Sequence, residues 1–267
     1  MQLIEPAPAK INLALHVRGK LPDGRHRLET VFAFCTDGDV LAAESSKEIS
    51  LEARGPFARE LADPEDNLVM RAAQALHEEA GVSDGAALTL TKNLPVASGI
   101  GGGSADAGAA LRVLTRLWNI DPAHAAAIAP SLGSDVPACL LSMSARGDNA
   151  GDELRLIDPG VSGKPVLLVN PRVPVSTAEI FSRWDGVDRG PLDDWRDGTN
   201  DLEPIAVALV PQLSYLLAWL TAQSGAEFVR MSGSGATCFA LFESKEARDH
   251  AAEAVPREWW KLASFLR

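Results

Sequence analysis

Pro95-Val96-Ala97-Ser98-Gly99-Ile100-Gly101-Gly102-Gly103-Ser104-Ala105-Asp106 is the stretch on which the reading of this chain turns. Four glycines fall within residues 99–103. Their missing side chains let a backbone approach a bulky anion. Residues 86–92 ahead of the run alternate as a strand does. Behind it Ala107, Leu111, Leu114 and Trp118 recur at helical spacing and predict a helix from Ser104 to about Asn119. A glycine loop between strand and helix aims unpaired N–H groups and the positive end of the helix dipole at a phosphate. A triphosphate fits residues 95–104. Ser104 offers a hydroxyl to phosphate or magnesium, and Asp106, one turn in, serves the metal or only the dipole. No Gly-Lys-Ser/Thr closes the run, so it is not a Walker A loop. Ser104 stands where a dinucleotide fingerprint needs glycine, and no βαβ unit surrounds it. A tight turn with close helix packing is the competing reading.

Upstream, residues 9–17 alternate, with Ile11, Leu13, Leu15 and Val17 on one face and Lys10, Asn12 and His16 on the other. A lysine in such a strand is usually solvated or snorkels. Pro22-Asp23-Gly24 is a turn, and strands follow over 28–35, 40–43 and 49–53. Residues 67–80 read as a helix capped by Asp66 or Asn67 and ended by Gly81. Leu132-Gly133-Ser134-Asp135-Val136-Pro137 is a turn in which Asp135, read alone, is first a helix cap.

Glycines and prolines between 147 and 163 place a boundary between a domain of residues 1–155, carrying the phosphate loop, and one of 156–267. The second half reads as a strand over 165–170, a polar loop over 185–200, and helices over 201–210 and 211–223. Strands over 227–231 and 237–242 and a helix over 244–255 complete it. Strands and helices mix without strict βαβ alternation, which predicts an α+β fold.

The 267 residues carry a net charge of −11, which disfavours a nucleic-acid partner. Cys35, Cys139 and Cys238 form no metal pattern and fit reduced thiols in a cytoplasm. The first residues lack the apolar run of a signal peptide, and no stretch reaches the roughly 18 apolar residues of a membrane span.

Three motifs in order carry a resemblance: Pro8-Ala9-Lys10-Ile11-Asn12-Leu13, residues 95–107, and Arg230-Met231-Ser232-Gly233-Ser234-Gly235-Ala236. Together they resemble the galactokinase, homoserine kinase, mevalonate kinase and phosphomevalonate kinase superfamily. Asp23-Gly24 followed by His26, Glu65-Asp66-Asn67-Leu68, Gly133-Ser134-Asp135-Val136-Pro137, Asn170-Pro171 and Asn200-Asp201-Leu202-Glu203 extend it over most of the chain. Within it they most resemble the branch acting on a cytidine diphosphate-linked methylerythritol.

The resemblance implies a two-domain α+β fold with the site in the interdomain cleft, ATP with Mg²⁺, and a small-molecule acceptor. No long heptad or large apolar surface can be read from the sequence, which leaves monomer or weak homodimer open, while charge and hydropathy point to no nucleic acid and no membrane. By motif position Lys10 and Asp135 are the catalytic pair. Asp135 takes the hydroxyl proton and Lys10 holds that carboxylate ionised. Residues 95–104 bind the phosphates, and Asn67 lies near adenine. Asn12 and His26 touch the acceptor, His26 at cytosine. Phe181 either stacks on the base or is a core aromatic on a short helix. Arg25 stands where the family commonly has tyrosine. Its guanidinium either stacks on the base, pairs with the diphosphate, or is solvated. A homoserine or mevalonate kinase would lack the features around His26 and Phe181. A non-catalytic nucleotide-binding relative would have no need of Lys10 with Asp135.

Overall fold

Two long strands open the chain, β1 (Leu3–Lys20) and β2 (His26–Ser46). The computed structural model describes residues 1–61 and 66–267, so Glu65 of the quoted motif lies outside the described residues. The alternation predicts separate strands at 28–35 and 40–43. They are one strand, because the intervening Thr36 and Asp37 are exposed polar residues within a continuous ladder.

Contacts group the chain into two compact units, each assembled from three stretches. The first unit comprises Met1–Ala9, Asp37–Val96 and Gly101–Ser142. In it the second half of β2 runs antiparallel to β4 (Gly85–Thr91), which is also paired in parallel with β3 (Ser50–Arg54). Leu88 and Leu90 of β4 point into the core while Thr89 and Thr91 are half-buried, the period of two expected of a strand.

Among the described residues four α-helices pack in this unit: α1 (Leu68–Ala80), α2 (Gly102–Leu117), α3 (Pro122–Leu132) and α4 (Val136–Leu141). Asn67 caps α1 by accepting the Val69 N–H at 2.8 Å, and Gly81 ends it in the left-handed conformation. α2 is buried nearly all round by Ala105, Ala107, Ala109, Ala110, Leu111, Val113 and Leu114, as a central core helix must be. Its small residues let α4 come close: a Cβ at Gly108 would stand 2.7 Å from the Cys139 carbonyl carbon. α3 has no apolar stripe in its alanine-rich sequence. It is set by Asp121, which accepts the Ala123 N–H, and by Pro122 at its start.

The second unit comprises Lys10–Thr36, Ala97–Ile100 and Met143–Arg267. Its antiparallel sheet has the order β10-β7-β9-β8, with β7 (Pro165–Asn170), β8 (Ala226–Met231), β9 (Cys238–Phe242) and β10 (Trp260–Phe265). The first half of β2 pairs with β5 (Ala145–Asp148), which pairs with β6 (Glu153–Leu156). Helices α5 (Thr177–Ser182), α6 (Glu203–Leu209), α7 (Gln212–Thr221) and α8 (Lys245–Ala254) complete it. Leu15 and Val17 of β1 share one core with Leu167, Val169, Leu216 and Phe242. β10 escapes periodicity because its one buried residue is Ser264. The fold is α+β, and among the described residues no helix is long and apolar enough to cross a membrane.

Candidate active site

In the second unit the site begins at Lys10. Its side chain lies on the buried face of β1, and the residue is 3 % exposed, so it neither snorkels nor sits in solvent. The ammonium donates to Asn12 Oδ1 at 3.1 Å and lies 5.3 Å from the centre of the Phe32 ring. Asn12 Nδ2 donates to Thr30 Oγ1 at 2.8 Å, and the Thr30 hydroxyl donates to the Ala14 carbonyl. The amide of Lys10 donates to the Ile100 carbonyl at 3.0 Å, tying the strand to the glycine loop.

The third motif grips the same loop. Ser232 Oγ donates to the Gly99 carbonyl at 2.9 Å and accepts the Asn12 N–H, while Thr237 Oγ1 donates to the Ser98 carbonyl at 2.6 Å. Gly99 has φ +77°, and a Cβ there would stand 2.5 Å from the Gly235 carbonyl oxygen, so the contact demands glycine. Asn170 Nδ2 in turn donates to Thr237 Oγ1. Asn200 Nδ2 donates to the Met231 and Gly233 carbonyls, and Glu203 accepts the Met231 N–H.

In the first unit α2 starts at Gly102, two residues before the helix predicted from Ser104. Gly101 precedes it in the left-handed conformation, with no side chain capping the helix. Gly103 is exposed and Ser104 half-buried, so the first turn offers backbone N–H groups and a hydroxyl to an anion. A Cβ at Gly103 would lie 3.5 Å from Leu68, which places Asn67 and the start of α1 beside this turn.

Asp106 does not face that ligand side. It is buried, and Oδ2 accepts from Lys92 Nζ at 2.7 Å. Lys92 also donates to Asp39 Oδ2 at 2.5 Å. Burial pushes the Asp106 carboxyl up to about 8, against the pull of Lys92 and with the help of Asp39. Burial works against the charge of Lys92, but Asp106 and Asp39 outweigh it and raise its pKa. Asp135 occupies the N-cap position of α4 and is half-buried, but its carboxylate makes no capping bond to that helix. The cap reading therefore does not hold.

His26 stands in an aromatic nest of the second unit. Its ring centre is 4.9 Å from Phe181 of α5, and 5.6 Å, edge-on, from Trp184 just after that helix. His26 Nε2 and Trp184 Nε1 are buried with no hydrogen-bond partner among the described residues. Burial, then Lys20, lower the His26 pKa below 6.5, which keeps the ring neutral at pH 7. The exposed guanidinium of neighbouring Arg25 bonds Asp23 at 2.7 Å and Asp152 at 3.2 Å.

Comparison with known proteins bears on this geometry. Residues 67–143 match the GHMP kinases N terminal domain and residues 185–262 the GHMP kinases C terminal domain. A 4-diphosphocytidyl-2-C-methyl-D-erythritol kinase of Rhizorhabdus wittichii is 50% identical over 281 residues, covering 100% of this chain and 96% of that one. Its counterpart in Novosphingobium aromaticivorans is 48% identical, with 100% and 94% covered. The chain belongs to the 4-diphosphocytidyl-2-C-methyl-D-erythritol kinase family. A crystal structure of a 4-(cytidine 5'-diphospho)-2C-methyl-D-erythritol kinase superposes with TM-score 0.83 at 32% identity, covering 100% of this chain and 99% of that one. A homoserine kinase from Cytophaga hutchinsonii shares the fold, with TM-score 0.73, 17% identity, and 99% and 95% covered.

Within this family chain, sequence reasoning passed over several residues that hold the site. Ser232, Asn170 and Asn200 were legible only as parts of motifs and Thr237 only as the start of a strand, and the structure gives each a hydrogen bond to the loop or to its clamp. Trp184 was missed altogether. Its signal was slight: an aromatic three residues past Phe181, one helical turn away on the same face. Lys92 and Asp39 stand at the ends of predicted strands, where nothing in the sequence marks them as buried.

Proposed function

We propose that the chain transfers the γ-phosphoryl group of ATP to the 2-hydroxyl of 4-diphosphocytidyl-2-C-methyl-D-erythritol, in the non-mevalonate route to isoprenoid precursors. The observation that carries this reading is the tie of Lys10 to the glycine loop. One residue is bonded through its amide to the phosphate loop and through its ammonium to Asn12, with no solvent role to explain its burial.

In this reading Asp135 takes the proton of the acceptor hydroxyl. A positioned base contributes about 10²–10⁴-fold. Lys10 keeps that carboxylate ionised and polarises the hydroxyl, and Asn12 and Phe32 aim its ammonium. The N–H groups at the start of α2 hold the phosphates as charge develops on them. Mg²⁺ entering with ATP would neutralise phosphate charge, and Ser104 is the hydroxyl placed to help hold it. Asp106, turned to Lys92, is not. Asn67 is assigned to the adenine side. Cytosine sits against His26 and Phe181, and Trp184 supplies the aromatic surface that position 25 lacks. The unpaired Nε2 of His26 and Nε1 of Trp184 support this, since a pyrimidine edge offers partners for both.

The test is ADP release from ATP and Mg²⁺ with three acceptors: the cytidine compound, homoserine and mevalonate. Turnover is expected with the cytidine compound alone, to fall about 10²-fold or more in Asp135→Asn. Trp184→Ala should raise KM for the cytidine compound and leave that for ATP. Turnover with homoserine or mevalonate instead would sink the substrate assignment. An active Asp135→Asn would sink the base.

A further inference from the structure

Three ionisable side chains, Asp39, Lys92 and Asp106, are sealed inside the first unit, each 0–2 % exposed. None of the roles proposed above uses them. Their bonding follows the route into the glycine loop. Asp39 Oδ1 accepts the Asn93 N–H at 2.5 Å and the Leu94 N–H at 2.8 Å, while Oδ2 accepts from Lys92 Nζ. One carboxylate thereby grips three consecutive residues immediately before Pro95. From there the Lys92 ammonium crosses to Asp106 on the second turn of α2. It lies directly under the first turn, since a Cβ at Gly102 would stand 3.1 Å from Nζ. The three groups thus link the strand end that leads into the loop with the helix start that leads out of it.

Stability does not account for such an arrangement. Burying ionised groups costs several kcal/mol per ion, and apolar packing of equal volume does as well or better. What a buried set of directional bonds supplies is a fixed position. Asp106 also stands near a helix N-terminus, where a free carboxylate would compete with phosphate for the same N–H groups and dipole. Held by Lys92, it is drawn under the helix and away from the exposed Gly103 and half-buried Ser104.

We propose that Asp39–Lys92–Asp106 is the positioning device of the phosphate site, holding the first turn of α2 against the segment that enters the glycine loop so that its N–H groups meet the triphosphate. Lys92 and Asp106 touch no ligand and are positioning residues. The proposal rests on the reading that this helix start takes the phosphates of ATP.

The experiment measures the dissociation constant of Mg-ATP by titration without acceptor, and then KM for both substrates. Asp106→Ala leaves Lys92 without its helix partner and should weaken ATP binding roughly ten- to a hundredfold, as small misplacements at a site do. The KM for the acceptor should stay within about twofold, since only the phosphate side is disturbed. Asp106→Asn keeps an acceptor for Lys92 and should recover most of the lost affinity. Lys92→Met should weaken ATP binding at least as much as Asp106→Ala. If it does not fold, the Asp106 pair decides. A folded Asp106→Ala that binds ATP like the wild type would overturn the proposal. So would loss of affinity for both substrates alike, or an Asn variant no better than Ala. Wild-type protein that binds ATP but ignores the cytidine compound would overturn the substrate reading and leave this one standing.

Discussion

At the scale of single residues the molecule separates charges that look alike in the sequence. Lys10 and Lys92 both sit in strands or at their ends, and both are buried, yet one is tied to the glycine loop through its own amide and the other lies under the helix that follows. Asp106 carries a consequence for stability. Its carboxyl rises from 3.8 to about 8 on folding because burial disfavours its charge. The native state therefore holds this proton more tightly than the unfolded chain does. The resulting stabilisation is full below about pH 4 and is lost as pH rises through about 8. The raised Lys92 remains charged across that window and adds no slope there. Thermal melts of wild type and Asp106→Asn between pH 5 and 9 should thus converge or cross, the wild type losing ground as pH rises. Parallel melting curves would show that Asp106 does not hold the proton.

At the scale of elements, α2 is where local sequence and packing agree most closely. Its small residues read as a helix of ordinary propensity, but their purpose is the contact with α4 at Gly108. Gly108→Ala gains helix propensity of about 1 kcal/mol. It also puts a methyl 2.7 Å from the Cys139 backbone. Overpacking of that kind typically costs about 1–3 kcal/mol, so the net effect should be a lowered Tm. An equal or higher Tm would mean that α4 moves aside at no cost. The glycine loop, the long alternating β1 and the capped α1 were legible because each rests on a local rule: missing side chains, a period of two, an Asn cap and a left-handed glycine. α3 and β10 were not, since an alanine-rich helix has no stripe and β10 buries only a serine. The boundary of α2 slipped by two residues because glycines do not look like a first helical turn. The site was legible as motifs but not as bonds. Nothing in the spacing says that Asn170 reaches Thr237, 67 residues on, to hold the Ser98 carbonyl.

For the molecule as a whole, the decisive feature is that each unit draws on distant stretches of chain. The second unit takes Leu15 and Val17 from β1 into its core. The same strand is laced to residues 199–201: the Leu15 N–H donates to the Thr199 carbonyl, the Asp201 N–H to the Leu15 carbonyl, and the Val17 N–H to the Asp201 carboxylate. Arg230, whose guanidinium burial pushes down to about 10 against Glu203, donates to the Leu13 carbonyl as well as to Trp195 and Gly198. A fragment of residues 156–267, cut where composition shifts, would lack all of these β1 groups. Losing two buried aliphatic side chains removes about 3–6 kcal/mol. Leaving the partners of β1 unsatisfied costs about 1–3 kcal/mol for each group that stays buried. Together these match the roughly 5–15 kcal/mol that holds a whole domain folded. The fragment alone should therefore show no cooperative thermal transition and poorly dispersed amide resonances. Adding residues 1–155 in trans should restore both, because that piece carries β1. A sharp melt of the isolated 156–267 fragment would mean that its sheet and helices suffice, and that β1 completes the second unit without being needed to fold it.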